Sequence, residues 1–519
     1  MKYFYTLLCV FLITCNTSFS QNLDTYNFIR TSYAGFDIFS YATTTDASGN
    51  LYAAGRADDE NNNYEHLFIA KYDASGVLDA TFGTNGILLY DFGSAVRQRV
   101  RDIEIDANGK IILAGFVDMD IYSNHRNAFV MRLEQNGTLD SNFGTNGIIT
   151  IDNGYKNDAF KIVIAADGKI FIGGTIKNST VSQLAVLKLN ENGTYDSTFS
   201  TNGISVTDPS TLDAPLANLY PDYSYINDLH ILPNGKILAL ASTGYNILLA
   251  RYTAQGDLDA TYDGGDGVFV YNPPSTNVEF YPSEFHVNND ESIYISATKQ
   301  CVSCNPGSGS NTGRWIFKMN ASGSYDNTFS GDGQYFISDF FAPSIAMTVS
   351  PTQEVYIAVR LFDFELRKLT STGSIDTSFH GDGIWNPTEV YRRKMIPYEL
   401  QLTDSNELVI MGRFSYPSSS TNIYFYTNLP EQNNVVLEIG EYIFNEAFTV
   451  YPNPTKDRFF IKTHNNTSFA IELYNNLGMR LLTKEISNVQ NEVNLEQYPS
   501  GVYYLKVAGT NTTQRILKN

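Results

Sequence analysis

The side chains that could carry out catalysis or hold a metal are few in this chain and far apart in sequence. Its six histidines form neither an HExxH motif nor a closely spaced metal-binding pair. They are His66, His125, His230, His286, His380 and His464. No GxSxG sequence marks a nucleophilic serine, and no Lys-Ser or Lys-Thr pair follows the glycine-rich stretch 307–313 to bind a phosphate. The sequence therefore predicts no catalytic residues, no metal and no cofactor.

Two of the four cysteines, Cys301 and Cys304, form a CVSC sequence among Asn, Pro, Gly and Ser residues. A zinc site would need two further ligands, which no second CxxC supplies. Redox-active CxxC pairs open a helix in a βαβ unit, and this pair does not. Since disulfides persist outside the cytoplasm, an exported chain is expected to join the two cysteines and staple a loop.

A turn motif that occurs six times sets the elements that would position any site. The copies, LDATFGTNG or a close variant, begin at Leu78, Leu139, Tyr195, Leu258, Tyr325 and Ile375. Their aspartates recur every 50 to 67 residues, at Asp79, Asp140, Asp196, Asp259, Asp326 and Asp376. Such an aspartate can accept hydrogen bonds from backbone N–H groups of the turn, and the aromatic residue three positions on can anchor it in a core.

An Asn-Gly or Asp-Gly pair ends each copy of the motif, from Asn85-Gly86 to Asp382-Gly383. Both pairs tolerate the positive φ of a tight turn, so aspartate is expected to replace asparagine without changing the geometry. The alternative interpretation of the GDG triplets is calcium binding. It lacks support, because no D-x-[DN]-x-[DN]-G loop is present. The motif is interpreted as structural.

Two β-rich runs accompany the turn motif, and each occurs seven times. One follows a turn, as in ANGKIILAG from Ala107, and the other alternates, as in AFVMRLEQNG from Ala128. Period-two alternation and β-branched residues predict four strands per repeat and no helix. Four-stranded repeats of this length are typical of β-propeller blades. The predicted fold class is all-β, with a seven-bladed β-propeller.

The seventh repeat lacks its own copy of the turn motif and the strand that follows it. Residues Leu23–Ser32 begin with Leu-Asp and precede the first repeat, so they are predicted to complete the last blade and close the ring. Val435–Ile439 is the competing local strand. The alternation of LDxTFGxxG with DGKIxxxG over Leu23–Leu429 resembles the delta-60 repeat family, which implies a propeller-like fold and no defined activity.

The two ends of the chain predict export. Residues 1–20 have a positive start at Lys2, an apolar run over Tyr3–Ile13 and small residues before Gln21, as in a signal peptide. After Glu446 the repeats stop, and the last 72 residues, 448–519, read as short strands and turns. No later stretch is apolar enough to span a membrane.

The last 72 residues resemble the type A C-terminal sorting domain of the type IX secretion system. The matching residues are Tyr451, Pro452, Asn453, Pro454, Gly478, Pro499, Gly501 and Lys518. The resemblance implies a small β-sandwich that interacts with the secretion machinery and delivers the protein to the surface or surroundings of a Gram-negative bacterium. The predicted domains are thus a signal peptide (1–20), a propeller (21–440), a linker (441–447) and a sorting domain (448–519).

A net charge of −20 argues against a nucleic-acid partner, which needs a basic face. In a four-stranded blade the uniform turns share one end and the variable loops share the other, where ligands usually bind. Candidate ligand-binding residues in those loops are Asp58, Asp59, Tyr64, Asp118, Tyr122, His125, Tyr220, Tyr223 and Tyr225. Acidic and aromatic groups suit a glycan or a protein ligand. The predicted function is a secreted or surface-displayed binding or adhesion protein. The alternative is a propeller enzyme acting on extracellular polysaccharide or peptide.

Overall fold

Strands account for nearly all the regular structure, as the alternation in the sequence predicts. The computed structural model describes residues 27–30, 36–59, 64–73, 77–93, 97–118, 125–212, 224–244, 246–271, 278–301, 313–338, 345–360, 364–379, 381–385, 395–402, 408–416, 419–426, 448–451, 455–463, 469–475, 480–486, 491–499, 501–507 and 513–518. Within these residues the only helix is a 3-10 turn at Pro209–Thr211. No helix of this part of the chain is long and apolar enough to cross a membrane. The predicted signal peptide lies outside the described residues.

The chain separates into two compact units, Met1–Leu437 and Glu438–Asn519. The described strands of the first unit are β1 (Asn27–Arg30), β2 (Phe36–Thr45), β3 (Leu51–Asp59), β4 (Glu65–Tyr72), β5 (Ile87–Tyr90), β6 (Arg97–Ile105), β7 (Ile111–Asp118), β8 (Arg126–Leu133), β9 (Ile148–Ile151), β10 (Asn157–Ile164), β11 (Ile170–Lys177), β12 (Ser182–Leu189), β13 (Ile204–Thr207), β14 (Ser224–Ile231), β15 (Ile237–Thr243), β16 (Asn246–Tyr252), β17 (Val268–Tyr271), β18 (Val278–Val287), β19 (Ile293–Cys301), β20 (Gly313–Met319), β21 (Gln334–Ser338), β22 (Ile345–Val349), β23 (Val355–Arg360), β24 (Phe364–Leu369), β25 (Ile384–Trp385), β26 (Met395–Leu402), β27 (Leu408–Tyr416) and β28 (Ser419–Tyr426).

These strands form seven antiparallel four-stranded sheets among the described residues. We number the sheets 1 to 7 along the chain. Each of sheets 1 to 6 contains four consecutive strands, beginning with β2, β6, β10, β14, β18 and β22, respectively. Sheet 7 has the order β1-β28-β27-β26. The first strands of successive sheets lie beside one another, from β2 and β6 to β22 and β26. We call the end of the sheets with the β-turns and turn motifs the turn end, and the opposite end, with the longer connections, the loop end.

The N-terminal strand completes the last sheet, which confirms the prediction made for it. In β1, Asn27 lies opposite Tyr426 of β28, and Arg30 lies opposite Ile423. The competing strand, Val435–Ile439, lies outside the described residues. Because the first described strand pairs with the last strand of the first unit, the two ends of the repeat array are hydrogen-bonded to each other.

Deleting residues 21–32 is expected to unpair sheet 7 selectively. The deletion removes the partner of β28, which itself pairs Tyr424 with Met411 of β27. Amide hydrogen exchange should therefore rise at Met411 and Tyr424 and stay nearly unchanged in the central sheets, since local stability follows local pairing. Unchanged exchange at Met411 in the shortened protein would show that another strand closes the array.

The turn motif works as predicted, with its aspartate at the centre. The Oδ1 atom of Asp79 accepts hydrogen bonds from the backbone N–H and the hydroxyl of Thr81 at 3.0 and 2.6 Å. Its Oδ2 atom lies 2.8 Å from Lys71 Nζ of the preceding strand. In sheet 2 the corresponding Asp140 accepts hydrogen bonds from Lys110 Nζ at 2.7 Å and Arg132 Nε at 2.8 Å. The carboxylate therefore joins the turn to the strand before it.

The aromatic residue of each motif packs against the next sheet rather than only its own. Phe82 is fully buried, and a Cβ atom at Gly137 of sheet 2 would come within 3.0 Å of its ring. Gly137 has φ +89°, and the N–H of Gly83 donates to Asn136 O beside it. The same contact joins Phe143 to Gly193, Phe199 to Gly256, Tyr262 to Gly323 and Phe329 to Gly373. In the second to sixth motifs, the glycine before the motif is therefore required by the aromatic ring of the previous sheet.

The Asp-Gly copies of the motif differ from the prediction. In the first three copies the asparagine is left-handed, with φ of 54°, 53° and 54° at Asn85, Asn146 and Asn202. In the last three, the positive φ falls on the glycine before the aspartate, at Gly265, Gly331 and Gly381. The side chain of Asp332 instead accepts a hydrogen bond from the N–H of Gln334. The exchange of Asn for Asp thus changes the turn, contrary to the expectation, because aspartate is used as an acceptor.

The motif aspartates are expected to make the protein sensitive to acid. Hydrogen bonds from Lys71 and Thr81 hold the pKa of Asp79 at about 2. Burial raises the pKa of Asp140, but hydrogen bonds from Lys110, Asn142 and Arg132 outweigh burial and hold that pKa at about 2. Both values lie below the ordinary 3.8, so these groups stabilise the fold above that pH, and the contribution is lost as pH falls toward 2.

Chemical unfolding at several pH values tests this expectation. The free energy of unfolding should fall between pH 4 and 2 by about 1.4 kcal/mol per pH unit for each such carboxylate. Asp79→Asn removes one titrating group at a partly exposed site, so its slope should be shallower by about that amount. An identical slope for the variant and the natural protein would contradict the assignment.

The second unit has a core of its own. Its described strands are β29 (Phe448–Tyr451), β30 (Arg458–Thr463), β31 (Phe469–Asn475), β32 (Arg480–Ile486), β33 (Asn491–Asn494), β34 (Gly501–Val507) and β35 (Thr513–Lys518). They form one sheet of order β29-β30-β33 and another of order β32-β31-β34-β35. Phe459 and Val493 of the first sheet share a buried cluster with Leu473, Leu505 and Ile516 of the second.

Of the predicted sorting residues, Lys518 has the most contacts. It is buried, and its Nζ atom donates hydrogen bonds to Leu495 O at 3.0 Å and Tyr498 O at 2.7 Å. Tyr451 is exposed and lies near Phe460, Pro499 O accepts a hydrogen bond from Tyr503, and Gly501 begins β34. Pro452, Asn453, Pro454 and Gly478 lie outside the described residues.

Candidate ligand-binding site

The predicted ligand-binding residues that the structure describes lie at the loop end, several of them on strands rather than in loops. Asp58 and Asp59 end β3, Asp118 ends β7, and Tyr225 lies within β14. Tyr64 precedes β4 and is 52% exposed, and His125 precedes β8, with its Nε2 atom 2.8 Å from Asp152 Oδ1. Tyr122, Tyr220 and Tyr223 lie outside the described residues, as does Cys304. Cys301 ends β19.

Arginines contact two of these residues, Asp58 and Asp118. We call Arg56, Arg99, Arg101 and Arg126, with Asp58, Glu65, Asp118 and Asp158, the arginine cluster. On the sheet 1 side, Glu65 accepts hydrogen bonds from Arg56 Nη1 at 2.8 Å and from Arg99 Nε and Nη2 at 2.9 and 2.7 Å. Since Arg99 belongs to sheet 2, this carboxylate links two sheets at their loop ends.

The sheet 2 side of the arginine cluster reaches sheet 3. Arg126 donates to both oxygens of Asp118, at 2.6 and 3.0 Å, and to Asp158 Oδ2 at 3.0 Å. Such two-point pairing fixes the planes of both groups. Arg101 Nη2 also reaches Asp158 Oδ2, at 3.4 Å. The carboxylates are thus already occupied by arginines.

Aromatic rings stack on the same arginines. The guanidinium carbon of Arg126 lies 3.6 Å from the centre of the Phe116 ring. That of Arg101 lies 5.0 Å from Phe116 and 5.1 Å from Phe160, and Phe160 stacks on Tyr225 of sheet 4 at 5.3 Å. Guanidinium groups are attracted to ring faces at these distances. The site therefore spans four sheets through alternating charged and aromatic groups.

Burial and pairing set the charges in this region. The hydrogen bonds that Arg99 donates to Glu65 outweigh burial and raise the pKa of Arg99. Burial lowers the pKa of Arg126, but its bonds to Asp118 and Asp158 outweigh burial, and the pKa is raised overall. Burial also raises the pKa of the Tyr41 hydroxyl, which Arg56 and Arg99 partly offset. Arg99 and Arg126 therefore stay charged in any physiological medium.

Sequence reasoning found the acidic and aromatic members but missed the arginines. A usable signal was present: Arg97, Arg99 and Arg101 occupy alternate positions in a chain with net charge −20. Sequence reasoning also missed Tyr155, which lies in the loop-end connection between β9 and β10 and is 38% exposed.

A second charged group joins the first strands of sheets 2, 3 and 4. Lys161 Nζ lies 3.5 Å from Asp102 Oδ2 and 4.0 Å from Asp228 Oδ1, and burial raises the pKa of both carboxyls. Asp102 also accepts a hydrogen bond from Ile162 N at 2.8 Å, and Asp228 one from Phe285 N at 3.2 Å. Each of these aspartates therefore bonds to the backbone of the next sheet. Among the described residues no group of three or more His, Cys, Asp or Glu side chains is arranged to hold a metal.

Two protein families match the sequence. The domain of unknown function DUF5122, a β-propeller, matches residues 47–82, 107–143, 165–199 and 232–262. Each matched segment runs from the first β-turn of a sheet to the buried aromatic residue of its turn motif, Phe82, Phe143, Phe199 or Tyr262. The secretion system C-terminal sorting domain matches residues 449–519. The chain is a β-propeller protein with a type IX C-terminal sorting domain. The sorting domain implies export of this β-propeller protein to the cell surface or the extracellular space.

Solved structures resemble the β-propeller protein only distantly. The polysaccharide lyase Uly1 is 10% identical, with a TM-score of 0.47, over 80% of this chain and 94% of its own. The β-propeller domain of Nup133 from Vanderwaltozyma polyspora is 11% identical, with a TM-score of 0.37, over 76% of this chain and 99% of its own. None of the curated proteins matches in sequence. At these values the likeness gives no information about ligand or activity.

Proposed function

We propose that this protein is a secreted or surface-displayed binding or adhesion protein whose ligand, a glycan or a protein, binds at the loop end. We further propose a seven-bladed propeller over residues 21–440 and, after a linker at 441–447, a β-sandwich over residues 448–519. A signal peptide, residues 1–20, would start export across the inner membrane. The host would be a Gram-negative bacterium, with the protein on its outer surface or released.

Two structural findings support the proposed architecture. Seven described four-stranded sheets follow one another, and the pairing of β1 with β28 joins the ends of the array. In the second unit, two sheets share one buried cluster, which is the arrangement of a sandwich. A seven-bladed propeller accounts for the first finding, and a β-sandwich accounts for the second.

The observation that carries the binding function is the arginine cluster. Its carboxylates are held by arginines in fixed geometries, so Glu65, Asp118 and Asp158 are poorly placed to act as proton acceptors. Its arginines and rings instead make a rigid, partly exposed surface beside the exposed Tyr64 and Tyr155. Rigid aromatic and charged surfaces that need little ordering on binding are suited to recognition.

The enzyme alternative rests on the group formed by Asp102, Lys161 and Asp228. Carboxyls whose pKa is raised by burial are typical of general acids. Their hydrogen bonds to Ile162 N and Phe285 N favour a structural role, because those bonds join neighbouring sheets. The binding function therefore has the stronger support.

Array binding with matched surface variants tests the proposal. The purified protein is applied to glycan and protein arrays, and each hit is then measured with the double variant Tyr64→Ala, Tyr155→Ala. Val77→Ala is the control, since Val77 is 61% exposed at the turn end. We expect affinity to fall at least tenfold in the double variant and less than twofold in the control. Equal losses, or turnover of a hit by the protein, would overturn the proposal.

A further inference from the structure

A β-bulge recurs at one position of the first strand in most sheets. The register between the first and second strands shifts by one residue in sheets 1 to 5 and in sheet 7. The residues at the shifts are Tyr41, Arg101, Phe160, Asn227, Ser283 and Tyr398. We call these six residues the bulge ring. Bulges often re-aim a side chain beside a functional site, and a recurring one calls for a common explanation.

Five of the six bulged residues have described side chains, and all five are partly or fully exposed. Tyr41 is partly exposed between the buried Ser40 and Ala42, and Arg101 lies likewise between the buried Val100 and Asp102. Phe160 and Asn227 are also partly exposed, and Ser283 is exposed. Because the first strands of successive sheets lie side by side, these side chains face the space that those strands share.

Neighbouring members of the bulge ring are connected through direct contacts. Arg101 reaches the ring of Phe160, and Phe160 stacks on Tyr225, two residues before Asn227. Asn227 Nδ2 then donates a hydrogen bond of 3.0 Å to Pro282 O, the residue before Ser283. The bulge ring is therefore one continuous surface across sheets 2 to 5.

Arg101 has hydrogen-bonding capacity to spare. Arg126 and Arg99 each make short paired bonds to carboxylates, whereas Arg101 makes one long contact, 3.4 Å, to an oxygen that Arg126 already uses. Its Nε atom is buried and has no hydrogen-bond partner in the described part of the chain. Its side chain remains 30% exposed. A guanidinium offers five N–H donors, and because Nε is buried, the donors of Arg101 left for an anion are those on Nη1 and Nη2.

We infer that the bulge ring binds an acidic sugar residue of an extracellular polysaccharide, which rests on the proposed binding function. A carboxylate matches the planar fork of Arg101, which can bond both of its oxygens. The ring of Phe160 supplies an apolar face for the sugar ring, and the amide of Asn227 and the hydroxyl of Ser283 supply polar partners for its hydroxyl groups.

An acidic peptide is the competing anionic ligand, and the bulge ring fits it less well. Its one guanidinium with spare donors offers a single anion position, whereas an acidic peptide presents several charges along an extended chain. The neighbouring side chains are an aromatic ring, an amide and a hydroxyl, which match the faces and hydroxyl groups of a sugar. The bulge ring therefore favours a ligand with one carboxylate surrounded by hydroxyl groups.

Titration calorimetry with three oligomers of equal length tests the inference. The ligands are hexagalacturonate, maltohexaose and hexaglutamate, which separate an acidic sugar, a neutral sugar and an acidic peptide. We expect hexagalacturonate to bind at least tenfold more tightly than either of the others, with affinity falling as salt rises. Arg101→Gln, and also Arg101→Lys, which keeps the charge but loses the fork, should weaken binding at least tenfold. Arg97→Gln, an exposed arginine on the same strand, should change it less than twofold.

A second variant keeps the test decisive if changes at Arg101 disturb the fold. Ser283 is exposed, so Ser283→Asp should leave the melting temperature unchanged while its charge repels the ligand and lowers affinity at least threefold. Preference for maltohexaose or hexaglutamate, or loss of affinity only in Arg97→Gln, would overturn the inference and leave the binding function standing. If hexagalacturonate fails to bind and the arrays also yield no ligand, the proposed function fails as well.

Discussion

Replacing Asp140 by alanine is expected to destabilise the propeller by about 3–5 kcal/mol, because it leaves a buried guanidinium without its partner. The side chain of Asp140 is fully buried, and that of Arg132 is 5% exposed. Arg132 approaches Asp140 Oδ2 with Nε at 2.8 Å and Nη2 at 2.7 Å, and Lys110 Nζ shares the same oxygen at 2.7 Å. Removing the carboxylate leaves Arg132 without a charge partner, and Lys110 keeps only Glu134, at 3.1 Å.

Asp79→Ala is the matched control for this change, because Asp79 occupies the same position of the turn motif. Its side chain is 23% exposed and pairs with Lys71 alone at 2.8 Å. The lysine can turn toward water after the change, so the loss should be about 1–2 kcal/mol, mainly from the unmade hydrogen bonds of the turn. Denaturant unfolding of the two variants measures the difference. Equal losses would show that the turn, and not the buried ion pair, supplies the stability.

The turn motif also shows how much of the fold was predictable from the sequence. Period-two alternation places strands at the right residues, and the unmatched repeat correctly assigns β1 to the last sheet. These features are local or depend on counting repeats. The contact of Phe82 with Gly137 is not local, since it joins two sheets. The recurrence of the motif in the sequence could not show against which sheet its aromatic side chain packs.

The candidate site was predicted less completely, for a physical reason. Asp118 was predicted as a ligand-binding residue, and the structure shows it held by Arg126. Which arginine pairs with a given carboxylate depends on how the sheets pack against each other. Arg99 of sheet 2, for example, binds Glu65 of sheet 1. A bulge such as that at Arg101 depends on a register shift of one residue, and alternation alone does not locate it.

Deleting Phe448–Asn519 is expected to abolish delivery of the protein outside the cell. These residues contain the whole match to the secretion system C-terminal sorting domain, and they form a unit with its own buried core. The propeller should still fold, because the deletion removes no strand of its seven described sheets. Immunodetection in the periplasm, on the cell surface and in the medium measures the outcome. Normal amounts outside the cell would contradict the sorting role.

A single substitution should reproduce much of that loss. Lys518 Nζ bonds to the backbone oxygens of Leu495 and Tyr498, so Lys518→Ala leaves buried carbonyl groups without a donor and detaches the last strand, β35. Arg480→Ala is the control, since Arg480 forms an exposed ion pair with Glu472 and should be dispensable. If sorting requires the folded domain, Lys518→Ala accumulates in the periplasm and Arg480→Ala is exported normally. Export of both variants would mean that the secretion machinery recognises a linear segment of the sorting domain. The deletion of Phe448–Asn519 would then block export because it removes that segment, and not because it removes a folded structure.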